Sequence, residues 1–151
     1  MGIPGATGTP CSGVATDQPT LPPMPIRRLA TVPEVAASLA SLSTGRGSAL
    51  YVFFGSEDPA TGASWCPDCV IADPILRRAC TTLRPDLVLY ECPVGVRSDW
   101  KNQPQHPFRL HPTLRLARIP TLVFLEHGME RGRLVEADCA NATVVEAFLK
   151  R

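Results

Sequence analysis

The chain has 151 residues, 44% of them apolar and 19% charged, with a formal net charge of +1. This suits one soluble globular domain with a tail to spare. It gives no bulk electrostatic case for nucleic acid or an anionic membrane, and no apolar run nears the roughly 18 residues of a spanning helix.

Residues 1–25 are rich in Gly, Pro, Thr and Ser, carry Asp17 as their one charge, and read as a disordered N-terminal tail. The tail has neither the basic start nor the apolar centre of a secretory signal. A reducing, cytoplasmic compartment is therefore expected. Mitochondrial targeting through the tail is the alternative, because acidic residues are scarce and Arg27 and Arg28 follow. Cys11, in this tail, reads as an incidental thiol. Residues 26–151 form the expected folded domain.

Within that domain Thr31-Val32-Pro33-Glu34 starts a helix, with Thr31 as cap, Glu34 reaching back, and Val35, Leu39 and Leu42 as its apolar stripe. Gly45 and Gly47 end it. Residues 48–54 are almost continuously apolar and predict a strand buried on both faces. Residues 55–64 form a loop by composition. A helix is expected over about 70–83, with Ile71, Ile75, Leu76, Ala79 and Leu83 toward the core and Pro74 as a kink. Residues 87–90 read as a second buried strand continuing toward Cys92. Residues 94–116 read as a short helix and loop, broken by Pro104, Pro107 and Pro112. Residues 121–125 are a third strand, His127-Gly128 a turn, and residues 133–136 a fourth strand in a hairpin with the third. Asn141 or Thr143 caps a last helix whose apolar face is Val144, Val145, Phe148 and Leu149. This order implies an α/β fold, a central mixed sheet with helices on both faces.

The chemistry concentrates in Trp65-Cys66-Pro67-Asp68-Cys69, between the first strand and the second helix. A C-x-x-C pair there puts two thiols on one turn, where unpaired N–H groups and the helix dipole favour a thiolate. Cys66, nearer the helix end and solvent, is the expected nucleophile; Cys69, more buried, resolves the mixed disulfide. Pro67 stiffens the turn, and Asp68, a like charge, opposes the helix terminus, so a mildly activated reductant is expected. Trp65 reads as the rim where substrate docks. A zinc half-site would need a second close pair, yet Cys80, Cys92 and Cys139 are isolated and His106 and His111 stand in a Pro-rich stretch. Cys80, Cys92 and Cys139 read as buried, inert thiols, and no bound metal or cofactor is expected.

Trp65-Cys66-x-x-Cys69, Pro74, and Ile119-Pro120-Thr121 before a hairpin resemble the thioredoxin superfamily over about residues 26–151. The Pro67-Asp68 pair after a long loop, with Phe54-Gly55-Ser56, Val94-Gly95, Trp100-Lys101 and Leu134-Val135-Glu136, is similar to the thioredoxin domain-containing protein 17 family. The resemblance implies a thioredoxin-like fold and a cytosolic disulfide reductase. Its implied substrates are cystine-like small disulfides and selected protein disulfides, nitrosothiols or persulfides. Its electrons would come from NADPH through thioredoxin reductase as partner. It further implies a cis Pro120 facing the cysteines, with Ile119 and Thr121 beside it in the substrate-binding segment. A monomer is expected, with no nucleic-acid or membrane partner. Ordinary thioredoxins carry a buried Asp in the strand before the motif. Residues 50–54 have none, so the proton acceptor for Cys69 falls to Glu57, Asp58, Asp68 or water. The alternative function is a non-catalytic thioredoxin-fold module whose partner binding is redox-regulated.

Overall fold

The computed structural model describes residues 26–45 and 47–150; the expectations for residues 1–25, Cys11 included, lie outside them. The elements in chain order are β1 (Ile26–Arg28), α1 (Val32–Thr44), β2 (Ser48–Phe54), α2 (Pro67–Leu83), β3 (Val88–Pro93), α3 (Arg97–Trp100) and α4 (Pro107–Leu110). They continue with β4 (Thr121–Glu126), β5 (Met129–Val135), a 3-10 turn (Glu136–Ala140) and α5 (Ala142–Leu149). The strands form one mixed sheet in the order β1-β3-β2-β4-β5. β3 runs parallel to β1 and β2, while β4 is antiparallel to both β2 and β5.

The sheet's two faces follow from the alternation of side chains along a strand. Leu50 and Val52 of β2 point to a core with Ala72, Leu76 and Ala79 of α2 and Val145 and Phe148 of α5. Ala49, Tyr51 and Phe53 point the other way, to Val35 and Leu39 of α1 and to Trp100 and Phe108. Both faces of β2 are therefore covered, as its unbroken apolar run requires. Each fully buried aliphatic or aromatic side chain stabilises the fold by about 1.5–3 kcal/mol.

Local signals set the element ends. Thr31 Oγ1 accepts the Glu34 N–H at 3.3 Å and the Thr31 N–H donates to Glu34 Oε1 at 3.0 Å, closing the expected capping box. At the β4–β5 turn His127 and Gly128 both take positive φ, +55° and +82°, as a two-residue hairpin turn demands. A Cβ on Gly128 would meet Ser43 at 2.4 Å.

Several expectations need correction. β1 was absent from the sequence reading: it is three residues long, two of them exposed arginines, and only its pairing with Leu89–Glu91 makes it a strand. α2 begins at Pro67, not near residue 70, so Cys69 lies in its first turn. The buried stripe is Cys69, Ala72, Leu76, Ala79 and Cys80, set by packing on the sheet and α5, and Ile71 is 55% exposed. β5 spans Met129–Val135, and Glu136 leaves it at φ +52° to start the 3-10 turn. Of the two expected caps of α5, Asn141 is the one the structure bears out, its Oδ1 accepting the Thr143 and Val144 N–H groups at 3.1 and 3.2 Å.

The segment between β3 and β4 holds two four-residue helices tied down by side chains. His106 Nε2 is 2.7 Å from Val94 O, and its Nδ1 accepts the Phe108 N–H at 3.1 Å. The Arg109 guanidinium lies 3.7 Å over the Trp100 ring and donates to Trp100 O and Ala117 O. His111 Nδ1 accepts the Thr113 N–H. Both histidines set aside as metal ligands thus bind their own backbone.

Candidate active site

The loop at residues 55–64 closes on itself before the reactive turn. The Asp58 N–H donates to Ala63 O at 2.8 Å and the Gly62 N–H to Asp58 O at 2.7 Å, with Gly62 at φ +76°. The Ser56 N–H donates to Gly95 O and the Gly95 N–H returns to Ser56 Oγ, both at 3.0 Å. The Trp65 indole N–H donates to the same Gly95 carbonyl at 2.8 Å, and its ring presses on Gly55. Trp65 is half-buried and packs with the core beneath the cysteines. It walls one side of the reactive turn.

Ser64 Oγ donates to Gly55 O and accepts the Cys66 N–H at 3.2 Å, fixing the approach to the helix. Cys66 is extended and caps α2 with its sulfur, which accepts the Cys69 N–H at 3.3 Å and the Cys69 S–H at 2.6 Å. Pro67 fills the first helical position, where no N–H is needed. Cys66 is 6% and Cys69 3% exposed, so burial hardly separates them. Hydrogen-bond direction does. Donation from the Cys69 thiol lowers Cys66 to about 7, helped by the Cys69 N–H and opposed by burial and by the Asp68 carboxylate. Cys69 is raised, first by donating to Cys66 and then by burial.

The Ile119–Pro120 peptide is cis. Ile119 packs in one cluster with Cys66 and Cys69, and Pro120 and Cys69 line a common cavity. Among the described residues the Ile119 main chain makes no hydrogen bond. Thr121 is buried and its hydroxyl donates to Arg118 O at 2.6 Å, so its side chain serves its own loop. Beside the reactive turn Val70 and Ile71 are 45% and 55% exposed.

Cys80, Cys92 and Cys139 are fully buried, and burial pushes Cys80 and Cys139 up to about 12 and Cys92 further up. Among the described residues no three His, Cys, Asp or Glu side chains gather as a metal-ligand set. The proton-acceptor candidates are dispersed. Glu57 is held by Arg28 at 2.7 and 3.0 Å, Asp58 Oδ1 accepts the Ala60 N–H, and Asp68 is exposed on the turn. The sequence reading passed over Glu91, a buried carboxylate in β3. The alternation in residues 88–93 is a signal that could have found it, since it sets Glu91 on the α2 side of the sheet beside Val52.

Comparison with known proteins bears on the family and the fold. Residues 31–151 match the family model described as thioredoxin domain-containing protein 17-like, thioredoxin domain. Thioredoxin domain-containing protein 17 of Epinephelus coioides is 37% identical over 105 residues, 70% of this chain and 80% of the relative. The Homo sapiens protein of that name is 36% identical over 100 residues, 66% of this chain and 76% of the relative. The crystal structure of oxidised thioredoxin O1 from Arabidopsis thaliana superposes with a TM-score of 0.58 at 17% identity, covering 83% of this chain and 96% of that one. The fold is that of thioredoxin.

Proposed function

Because the chain belongs to the thioredoxin domain-containing protein 17-like family, we propose that it is a thiol–disulfide oxidoreductase working through Cys66 and Cys69. The observation that carries this reading is the asymmetry of the pair: Cys66 Sγ caps α2 and accepts the Cys69 N–H, with the Cys69 thiol beside it. Such donors favour a thiolate at Cys66 and hold the proton on Cys69.

Cys66 attacks one sulfur of a substrate disulfide, forming a Cys66–substrate disulfide and expelling the other sulfur as thiolate. Cys69 then loses its proton and attacks Cys66 Sγ. The Cys66–Cys69 disulfide forms, the bond to substrate breaks, and a second thiolate leaves. The two electrons come from the dithiol, and NADPH restores them through thioredoxin reductase as partner. The Ile119 main chain, free of hydrogen bonds among the described residues and beside cis Pro120, can take an extended segment around the substrate's disulfide, with Trp65, Val70 and Ile71 as apolar contacts. Thr121 contributes by anchoring that segment through Arg118 O. Substrates are small disulfides such as cystine and exposed disulfides of selected proteins.

The test is NADPH oxidation coupled through thioredoxin reductase with cystine as acceptor. Turnover is expected in the intact chain and its loss in Cys66→Ser. Undiminished turnover in that variant would refute the assignment. No turnover at all, with partner binding that differs between the oxidised and reduced protein, would favour the non-catalytic module.

A further inference from the structure

Resolution needs a base, because Cys69 is the thiol that keeps its proton and is 3% exposed. Behind it lies a cavity of about 160 Å³, lined by Cys69, Val52, Leu76, Pro120 and Glu91 among others, with room for several waters. Glu91 is 7% exposed and stands opposite Val52 in the β2–β3 register. Its Oε2 is ion-paired with Arg77 Nη2 from α2. Among the described residues no hydrogen bond goes to its other oxygen, Oε1.

We propose that Glu91 accepts the proton of Cys69 during resolution, through water held in this cavity, and so acts as a positioning residue for the resolving thiol. The proposal rests on the dithiol reading given above. As the Cys69 sulfur forms its bond to Cys66 Sγ, its proton passes to a water and that water's proton to the Glu91 carboxylate. The substrate thiolate leaves with the electron pair of the broken bond. Glu91 then returns its proton to solvent along the cavity.

The other acids are worse placed. Glu57 lines the cavity too, but the Arg28 guanidinium grips both its oxygens and holds its carboxyl below the usual range. Asp73 is exposed and paired with Arg77. Burial raises Glu91, against the pull of Arg77 and Arg28 and with the push of Asp73 and Glu57. A carboxylate raised by burial is a better base than an exposed one.

The test follows a nitrobenzoate disulfide that releases coloured thiolate, using the full chain in a Cys11→Ser background. Attack by Cys66 gives the first phase and resolution by Cys69 the second. In the parent protein the second phase should rise with pH and level off once Glu91 is ionised. In Glu91→Gln the first phase should be unchanged. Its second phase should fall about 100-fold near neutral pH, the low end of general-base contributions, and lose its plateau. In Arg77→Met, which keeps the carboxylate and removes its cation, the plateau should move to higher pH. A second phase in Glu91→Gln equal to the parent's, or slowed by one factor at every pH, overturns the proposal. If Glu91→Gln does not fold, Arg77→Met decides: an unmoved pH profile overturns it. A parent protein that shows the first phase without the second refutes the dithiol reading itself, and the proposal with it.

Discussion

Gly55→Ala tests how firmly the reactive turn is walled. The φ of Gly55 lies outside the left-handed region, so alanine brings no backbone strain. What it brings is a collision: the new Cβ would sit 2.6 Å from Trp65 Cε2 and 2.8 Å from Trp65 Nε1. The indole cannot yield without leaving Gly95 O, its acceptor at 2.8 Å. Overpacking costs about 1–3 kcal/mol and the lost hydrogen bond about 1 kcal/mol. The sum, about 2–4 kcal/mol, should lower the urea midpoint by about 1–2 M at an m-value of about 2 kcal/mol/M. Far-UV circular dichroism during urea unfolding measures it. The cause is isolated by a cycle with Trp65→Ala, since removing the indole removes what the Cβ strikes. The double variant should be more stable than the sum of the single effects by about 2 kcal/mol. Additivity within about 0.5 kcal/mol would refute the contact as the origin of the loss.

Alkylation of the reduced protein by iodoacetamide should follow Cys66 ionisation, with a midpoint at about 7. Asp68→Asn should move that midpoint down, because the lost carboxylate no longer opposes the thiolate; an upward move would contradict this account. Asn141→Ala should cost about 1 kcal/mol by thermal or urea unfolding, because Asn141 Oδ1 alone caps α5 through Thr143 and Val144. Thr143→Ala, by contrast, should change stability little.

Local chemistry was legible in the sequence, and tertiary placement less so. The capping box at Thr31 and Glu34, the turn at His127-Gly128 and the buried run of β2 each depend on neighbours within a few residues. They could be read from spacing alone. β1 could not, because a three-residue strand with two exposed arginines exists only through its partner β3. The exposure of Ile71 was hidden for a related reason. Two hydrophobic stripes can be drawn on α2, and packing against β2 and α5, not local spacing, selects the one through Ala72, Leu76 and Ala79. The reactive pair was legible because its two members are three residues apart. Glu91 lies 22 residues beyond Cys69, and only the pairing of β2 with β3 sets it behind that cysteine.

The same placement bears on selectivity. With only 6% of Cys66 exposed, a substrate sulfur has to enter the site rather than meet a projecting thiol. The wall on one side is rigid: Trp65 is fixed by Gly55 and Gly95, and the loop at residues 55–64 is closed by its own backbone hydrogen bonds. The opposite approach passes Ile119 and cis Pro120. On the reading proposed here, a disulfide in a small molecule or an extended segment reaches Cys66 without moving either wall. One inside a folded domain would first have to unfold locally. That local unfolding adds its free energy to the barrier, and the penalty grows with the stability of the domain around the disulfide. Rates toward such substrates should therefore rank by the local stability of the disulfide's surroundings.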